Sequence, residues 1–121
     1  LMTFNDLVRL GIERYGSEEF GSARSSFEQA LRLRDDNYIP YYYLGLIAYQ
    51  EKDFELARTF YQRAGELGID GALINYALGV NAFAEGRYGI AEEHLVQARE
   101  LDPESYREKS ESLLQRIKVM R

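Results

Sequence analysis

Few residues in this chain could do chemistry. Its single histidine, His94, follows Glu92 and Glu93, and both residue types bind metal ions or carry protons. Successive residues of a helix point about 100° apart, so these three side chains cannot converge on one ion. The chain has no cysteine, which excludes disulfides and thiolate catalysis, and it carries no nucleophile-elbow, Walker or zinc-protease motif. We therefore expect no catalytic residue, no metal site, no cofactor and no enzymatic activity.

Three glycines could suggest a phosphate-binding loop. Gly65, Gly68 and Gly71 follow one another closely, but no strand precedes them and their spacing differs from that of a dinucleotide-binding fingerprint. We expect all three to lie in a loop that ends one helix and turns the chain towards the next.

Composition and charge narrow the possible partners. Twenty acidic and 15 basic residues give a net charge of −5, and the chain lacks the clustered cations of a nucleic-acid surface. No apolar run approaches the roughly 18 residues that span a bilayer. The first residues lack the features of a signal peptide. We expect a soluble chain, cytoplasmic in preference to periplasmic, that binds no nucleic acid and does not insert into a membrane.

A repeat of 34 residues runs through the chain. Five columns are identical in all three copies, and three further columns keep an aromatic or large apolar residue. The identical columns are Leu10, Leu44 and Leu78; Gly11, Gly45 and Gly79; Ala23, Ala57 and Ala91; Ala30, Ala64 and Ala98; and Leu33, Leu67 and Leu101. The conservative columns are Tyr15, Tyr49 and Phe83; Phe20, Phe54 and Tyr88; and Phe27, Tyr61 and Leu95. A fixed period of this length predicts stacked units of one supersecondary structure.

Within each copy the spacing predicts two helices that pack antiparallel. In the second copy a helix from Pro40 to Gln50 is followed by a short polar turn and a second helix. Gly45 and Ala57 lack bulk, so the paired helices can approach closely. Larger side chains such as Tyr61 then fill the space between them.

The order of Leu-Gly, aromatic and alanine columns resembles the tetratricopeptide (TPR) repeat family. The resemblance implies an all-α fold, a right-handed α-solenoid of antiparallel helix pairs with seven helices in all. We expect a single domain over residues 1–121, with repeats at 4–37, 38–71 and 72–105 and a capping helix at 104–120. Since the repeat pattern starts almost at Leu1, we expect the chain to be a segment of a longer protein. The third repeat ends on the family's proline, Pro103, whereas Asp35 and Ile69 occupy that column in the first two.

The last helix is expected to cover the end of the stack. Asp102 and Pro103 provide an N-cap and a first-turn proline. The apolar side of the helix that follows carries Tyr106, Ser110, Leu113, Ile117 and Met120. Its other side carries Arg107, Glu108, Glu111, Gln115 and Lys118, a polar surface that suits the end of a solenoid.

The resemblance also implies that the first helix of each repeat lines a concave groove. The residues expected there are Val8, Arg9, Ile12 and Tyr15 in the first repeat; Ile39, Tyr42, Tyr43, Leu46 and Tyr49 in the second; and Leu73, Tyr76, Val80 and Phe83 in the third. Ile12, Leu46 and Val80 share a column that is usually polar, and an exposed apolar strip indicates a binding site. Several of the aromatic columns also serve packing in this family, so their role is left open between structure and binding.

Two functions agree with these features. The first is a protein-protein interaction module, a scaffold, adaptor or chaperone-like protein that binds a peptide or a helical segment of a partner in an apolar groove. The alternative is a structural assembly element that forms a homo-oligomer or docks on other domains of a longer protein, and a regulatory piece of an enzyme is a third, weaker one. One family subgroup grips an acidic C-terminus with Lys, Asn and Arg, but those columns read Val8, Ile12, Tyr43, Leu73 and Ala77 here. The apolar groove is more similar in character to that of the three-repeat chaperones of bacterial secretion translocators.

Overall fold

The computed structural model describes residues 1–121 as seven α-helices joined by short connections, with no strand. The chain divides into two compact units, Leu1–Leu67 with four helices and Gly68–Arg121 with three. The helices of the first unit are α1 (Phe4–Gly16), α2 (Phe20–Leu33), α3 (Tyr38–Gln50) and α4 (Phe54–Glu66). Those of the second unit are α5 (Gly71–Ala84), α6 (Tyr88–Leu101) and α7 (Pro103–Met120). The all-α prediction and the count of seven helices are confirmed.

Side-chain caps fix the starts of the first helices and of α7. Thr3 and Asp6 form a reciprocal capping box on α1. Asn37 accepts a hydrogen bond from the backbone N–H of Ile39 at the start of α3. Asp70 and Asp102 cap α5 and α7 in the same way, because each carboxylate satisfies an N–H group that has no partner within the helix. The helix expected from Pro40 therefore begins two residues earlier, at Tyr38.

The turn inside each repeat has the same left-handed residue every 34 positions. Glu18, Lys52 and Gly86 have φ angles of 60°, 63° and 77°. The next residue of each turn donates its N–H to a carbonyl five residues back, as Asp53 does to Ala48 at 2.9 Å. The backbone hydrogen bonds of the turn thus hold two non-glycine residues in a conformation that side chains ordinarily avoid.

The helices of the first unit pair antiparallel, as contacts at both ends and in the middle show. Between α1 and α2, the ring of Tyr15 packs on Phe20 at one end and the guanidinium of Arg34 lies over Phe4 at the other. In the middle Gly11 faces the buried ring of Phe27, and a Cβ built on Gly11 would stand 2.7 Å from a ring atom. Between α3 and α4 the corresponding contact joins Gly45 and Tyr61.

The second unit repeats this pairing and adds a third helix. Gly79 of α5 faces Leu95 of α6, and Gly71 faces Leu101 at the opposite end from Phe83 and Tyr88. Helix α7 runs antiparallel to α6 in turn, since Arg99 contacts Glu111 and Arg121 contacts Glu92. The core of the unit consists of Ala82, Ala91, Leu95 and Ile117, with Leu113 and Leu114 packed against it.

Two details differ from the sequence predictions. Gly65 lies within α4 and Gly71 begins α5, so only Gly68, with a φ of 93°, is a loop glycine. Asp70 caps α5 early enough to draw Gly71 into the helix. Met120 is 53% exposed and does not share the packed side of α7. Ile117 already fills the space beneath α6, and Met120 lies at the last turn of the helix. None of the seven helices is long and apolar enough to cross a membrane.

Candidate functional site

In the first unit, the residues expected to bind a partner lie along α1 and α3. Ile12 is 37% exposed and Leu46 is half-buried. Arg9 is exposed and forms an ion pair with Asp6 at 3.6 Å on the same helix. Val8 is only 8% exposed and packs with Leu7 and Ala30, while Ile39 contacts this cluster from α3. Val8 is therefore a core residue, and Ile12 and Leu46 provide the accessible apolar surface. We call this surface, with its tyrosines, the α1–α3 face.

The tyrosines of the α1–α3 face form a continuous ring network. Tyr43 stands at its centre, stacked on Phe27 with ring centroids 5.2 Å apart and in edge contact with Tyr15 and Tyr42 at 5.5 and 5.6 Å. Tyr42 also contacts the buried Tyr61 at 6.1 Å. Edge-to-face and offset ring pairs of this kind stabilise beyond the area that they bury. The predicted groove tyrosines are thus both packing residues and half-exposed surface.

The phenol hydroxyls of this network keep their protons at ordinary pH. Burial raises the pKa of Tyr61 far above its usual value. Burial also raises the pKa of Tyr15, while a side-chain hydrogen bond with Gln50 acts in the opposite direction. Because a neutral phenol can both donate and accept a hydrogen bond, the α1–α3 face offers apolar rings with polar tips and no unpaired charge.

In the second unit, the predicted residues of α5 lie beside α7. Leu73, Tyr76, Val80 and Phe83 are all half-buried. The ring of Tyr76 packs on Tyr106 of α7, with centroids 5.2 Å apart. Two of the four predicted α5 residues therefore contact other parts of their own unit, since Phe83 also packs on Tyr88. We call the surface that these two helices form the α5–α7 face.

Two cations on α7 belong to this face, and sequence reasoning missed both of them. The ammonium of Lys109 lies 5.3 Å from the ring centroid of Tyr76 and 5.1 Å from that of Tyr106. The guanidinium of Arg116 lies 4.9 Å from the ring centroid of Phe83. Such distances are those of cation–π contacts. The available signal was the seven-residue spacing, which places both cations on one side of α7.

The histidine and its two neighbouring glutamates point towards different helices. The Nδ1 atom of His94 is 2.9 Å from Oδ1 of Asn75 on α5, whereas Glu92 accepts a hydrogen bond from Arg121 at the end of α7. Burial lowers the pKa of His94, and Glu93 opposes this shift. The structure contains no group of three or more His, Cys, Asp or Glu side chains that could hold a metal ion.

Seven helices in antiparallel pairs, with second helices that begin 34 residues apart at Phe20, Phe54 and Tyr88, define a helical repeat protein. A family model for the tetratricopeptide repeat matches residues 8–72, which is more than half of the chain. The chain therefore belongs to the tetratricopeptide repeat family, as the repeat columns predicted.

Solved structures share this fold at low sequence identity. The type III secretion chaperone SycD of Yersinia enterocolitica, solved with a peptide of the translocator YopD, is 21% identical with a TM-score of 0.86, over 96% of this chain and 92% of that one. The first TPR domain of Spaghetti (RPAP3), bound to the HSP90 peptide SRMEEVD, is 15% identical with a TM-score of 0.88, over 98% and 92%. MamA from Desulfovibrio magneticus RS-1 is 22% identical with a TM-score of 0.86, over 97% and 65%. No curated protein matches the sequence.

Proposed function

We propose that this chain is a protein-interaction module that binds an extended or helical segment of a partner protein on the exposed faces of its first helices, α1 and α3 in the first unit and α5 in the second. One observation carries the proposal. Ile12 and Leu46 keep apolar surface accessible on the α1–α3 face, beside half-exposed tyrosines that are already held in place by ring contacts. Rigid aromatic side chains bind a partner with little loss of conformational entropy.

The comparisons support this proposal at the level of the fold. Tetratricopeptide proteins are generally non-catalytic interaction modules, and two structures with the same fold hold peptides, SycD a segment of YopD and Spaghetti an HSP90 peptide. The α1–α3 face carries only one charged residue among the predicted site residues, Arg9, and Asp6 already pairs with it. We therefore expect the first unit to select apolar rather than acidic side chains, in a chaperone-like or adaptor role.

The test is selection of peptides from a phage-displayed library of random dodecapeptides, with wild type and two Leu→Lys variants as targets. Leu46→Lys places a charge on the α1–α3 face, whereas Leu56→Lys makes the same change on α4, where Leu56 is 43% exposed. A lysine stem can lie along an apolar surface with its ammonium in water, so both variants should keep the helical circular dichroism of wild type.

We expect peptides that bind wild type and Leu56→Lys with apolar or aromatic anchors, and a loss of binding by about tenfold or more for Leu46→Lys because an unpaired charge faces an apolar ligand. Equal binding by all three proteins would place the partner on another surface. Self-association of wild type that Leu46→Lys abolishes, measured by sedimentation, would favour the alternative of an assembly element.

A further inference from the structure

The cations of the second unit fall into two groups that differ in their partners. Towards α6, Arg99 pairs with Glu111 and Arg121 pairs with Glu92, at N–O distances of 3.9 and 3.2 Å. Towards α5, Lys109 and Arg116 lie on aromatic rings and form no ion pair. Glu104 and Glu108 lie beside Lys109 on the outer surface of α7, but neither carboxylate comes within ion-pair distance of it. The α5–α7 face therefore presents two positive charges that the unit itself leaves without a counter-ion.

The first unit shows that an aromatic contact does not prevent an ion pair. Arg34 lies over Phe4 and also pairs with Asp36 at 2.7 Å. Arg63 lies over Tyr41 and also pairs with Glu66 at 3.5 Å. A cation on a ring thus keeps its outer side available for a carboxylate. Lys109 and Arg116 offer that same outer side to solvent, and both side chains are exposed.

We infer that the α5–α7 face recognises acidic partner segments, with Lys109 and Arg116 binding two carboxylates while apolar residues of the same segment pack on α5. The inference rests on the proposed function and names the partner chemistry for the second unit. Contact with the rings limits the positions of the two cations before a ligand arrives, so less entropy is lost when a carboxylate binds. The net charge of −5 repels acidic segments elsewhere on the chain.

The spacing of the two cations specifies the ligand further. Lys109 and Arg116 are seven residues apart on one helix, which places them on one side and about 10 Å apart along the axis. An extended segment spans that distance in about three residues. We therefore expect carboxylates at positions i and i+3 of an extended ligand, or at i and i+7 of a helical one, with apolar residues between them.

The experiment uses the same random dodecapeptide library and compares two double variants of the full chain. Lys109→Gln with Arg116→Gln removes the two cations that lie on rings. Arg107→Gln with Lys118→Gln removes two exposed cations of the same helix that contact no ring, and so makes the same change in net charge. All four positions are exposed, so both variants should fold, which circular dichroism checks.

We expect peptides selected on wild type and on the Arg107–Lys118 variant to be enriched in Asp and Glu at the stated spacing, and those selected on the Lys109–Arg116 variant to lose this enrichment. A wild-type peptide should bind the Lys109–Arg116 variant about tenfold more weakly, and Lys109→Arg should retain binding. Selection of apolar peptides without acidic enrichment would overturn this inference and leave the proposed function standing. Equal losses in both double variants would reduce the effect to net charge and also overturn it. Failure to select any peptide would count against the proposed function itself.

Discussion

In the first unit the rings of the first-helix face pack on one another, whereas in the second unit they pack on a terminal helix and its cations. Tyr43 is surrounded by other aromatic rings, but Tyr76 and Phe83 contact Lys109 and Arg116. Equivalent columns of one repeat thus produce a neutral face in one unit and a cationic face in the other. The comparison teaches that what covers a repeat residue decides its chemistry as much as its own identity.

The largest expected effect concerns the dependence of the second unit on α7. Ile117 is fully buried against Ala91 and Leu95, so Ile117→Ala should destabilise by about 3–4 kcal/mol through lost burial and a cavity. Urea unfolding measures this change. Val119→Ala on the same helix, where Val119 is 77% exposed, should change stability by less than about 0.5 kcal/mol. Equal effects of the two substitutions would show that α7 does not seal this unit.

The next prediction compares the close helix contacts of the two units. A Cβ at position 45 would stand 2.5 Å from two ring atoms of the buried Tyr61, so Gly45→Ala should cost about 3 kcal/mol by overpacking, offset by about 1 kcal/mol of helix propensity. At Gly79 the nearest atom, 2.8 Å away, belongs to the flexible side chain of Leu95, and the net loss should be about 1 kcal/mol.

Thermal melting of both glycine variants tests the ranking. The control is Gly21→Ala, since a Cβ on this helical glycine would meet nothing within 4 Å. That substitution should leave stability unchanged or raise it slightly. A Gly79 variant less stable than the Gly45 variant would reverse the comparison between rigid and flexible neighbours.

A smaller effect should have opposite signs at two buried serines. Ser26 in the first unit accepts a hydrogen bond from Arg14 at 3.1 Å and donates to the carbonyl of Ser22. Ser26→Ala should therefore cost about 1 kcal/mol. Ser110 in the second unit is fully buried and its hydroxyl has no hydrogen-bond partner, so Ser110→Ala should stabilise by up to about 1 kcal/mol. Equilibrium unfolding in urea measures both, and a loss at Ser110 would indicate a partner for its hydroxyl in solution.

The smallest expected effect is a pH dependence from His94, which has no ionisable counterpart in its repeat column. Burial lowers the pKa of His94, so the folded protein favours the neutral imidazole. Its contribution is complete above the unfolded pKa of about 6.5 and is lost as the pH falls through that value towards the lower folded pKa. Wild type should therefore lose more stability between pH 7.5 and 5.5 than His94→Gln does. An NMR titration of the single imidazole gives the folded pKa, and a value above 6.5 would refute the prediction.

The repeat period predicted most of the fold because each helix is specified locally. Alanine, glycine and aromatic columns recur every 34 residues, so each copy forms the same antiparallel pair and the glycine-to-ring contacts follow from the same columns. The caps at Asp70 and Asp102 are local signals too. The positive φ angles of Glu18 and Lys52 carry no such signal. Hydrogen bonds across the turn impose them on residues that do not favour them.

The sequence by itself determined the class of the protein: seven helices, their pairing, and a set of apolar and aromatic first-helix positions with no catalytic or metal-binding group. Only the tertiary structure decided the state of each position. It buried Val8 and left Ile12 accessible, and it placed Lys109 and Arg116 over the rings of α5. Helical periodicity fixes which side of a helix a residue occupies, but exposure and charge pairing depend on the neighbouring helix, whose distance and contacts the packing of large side chains sets.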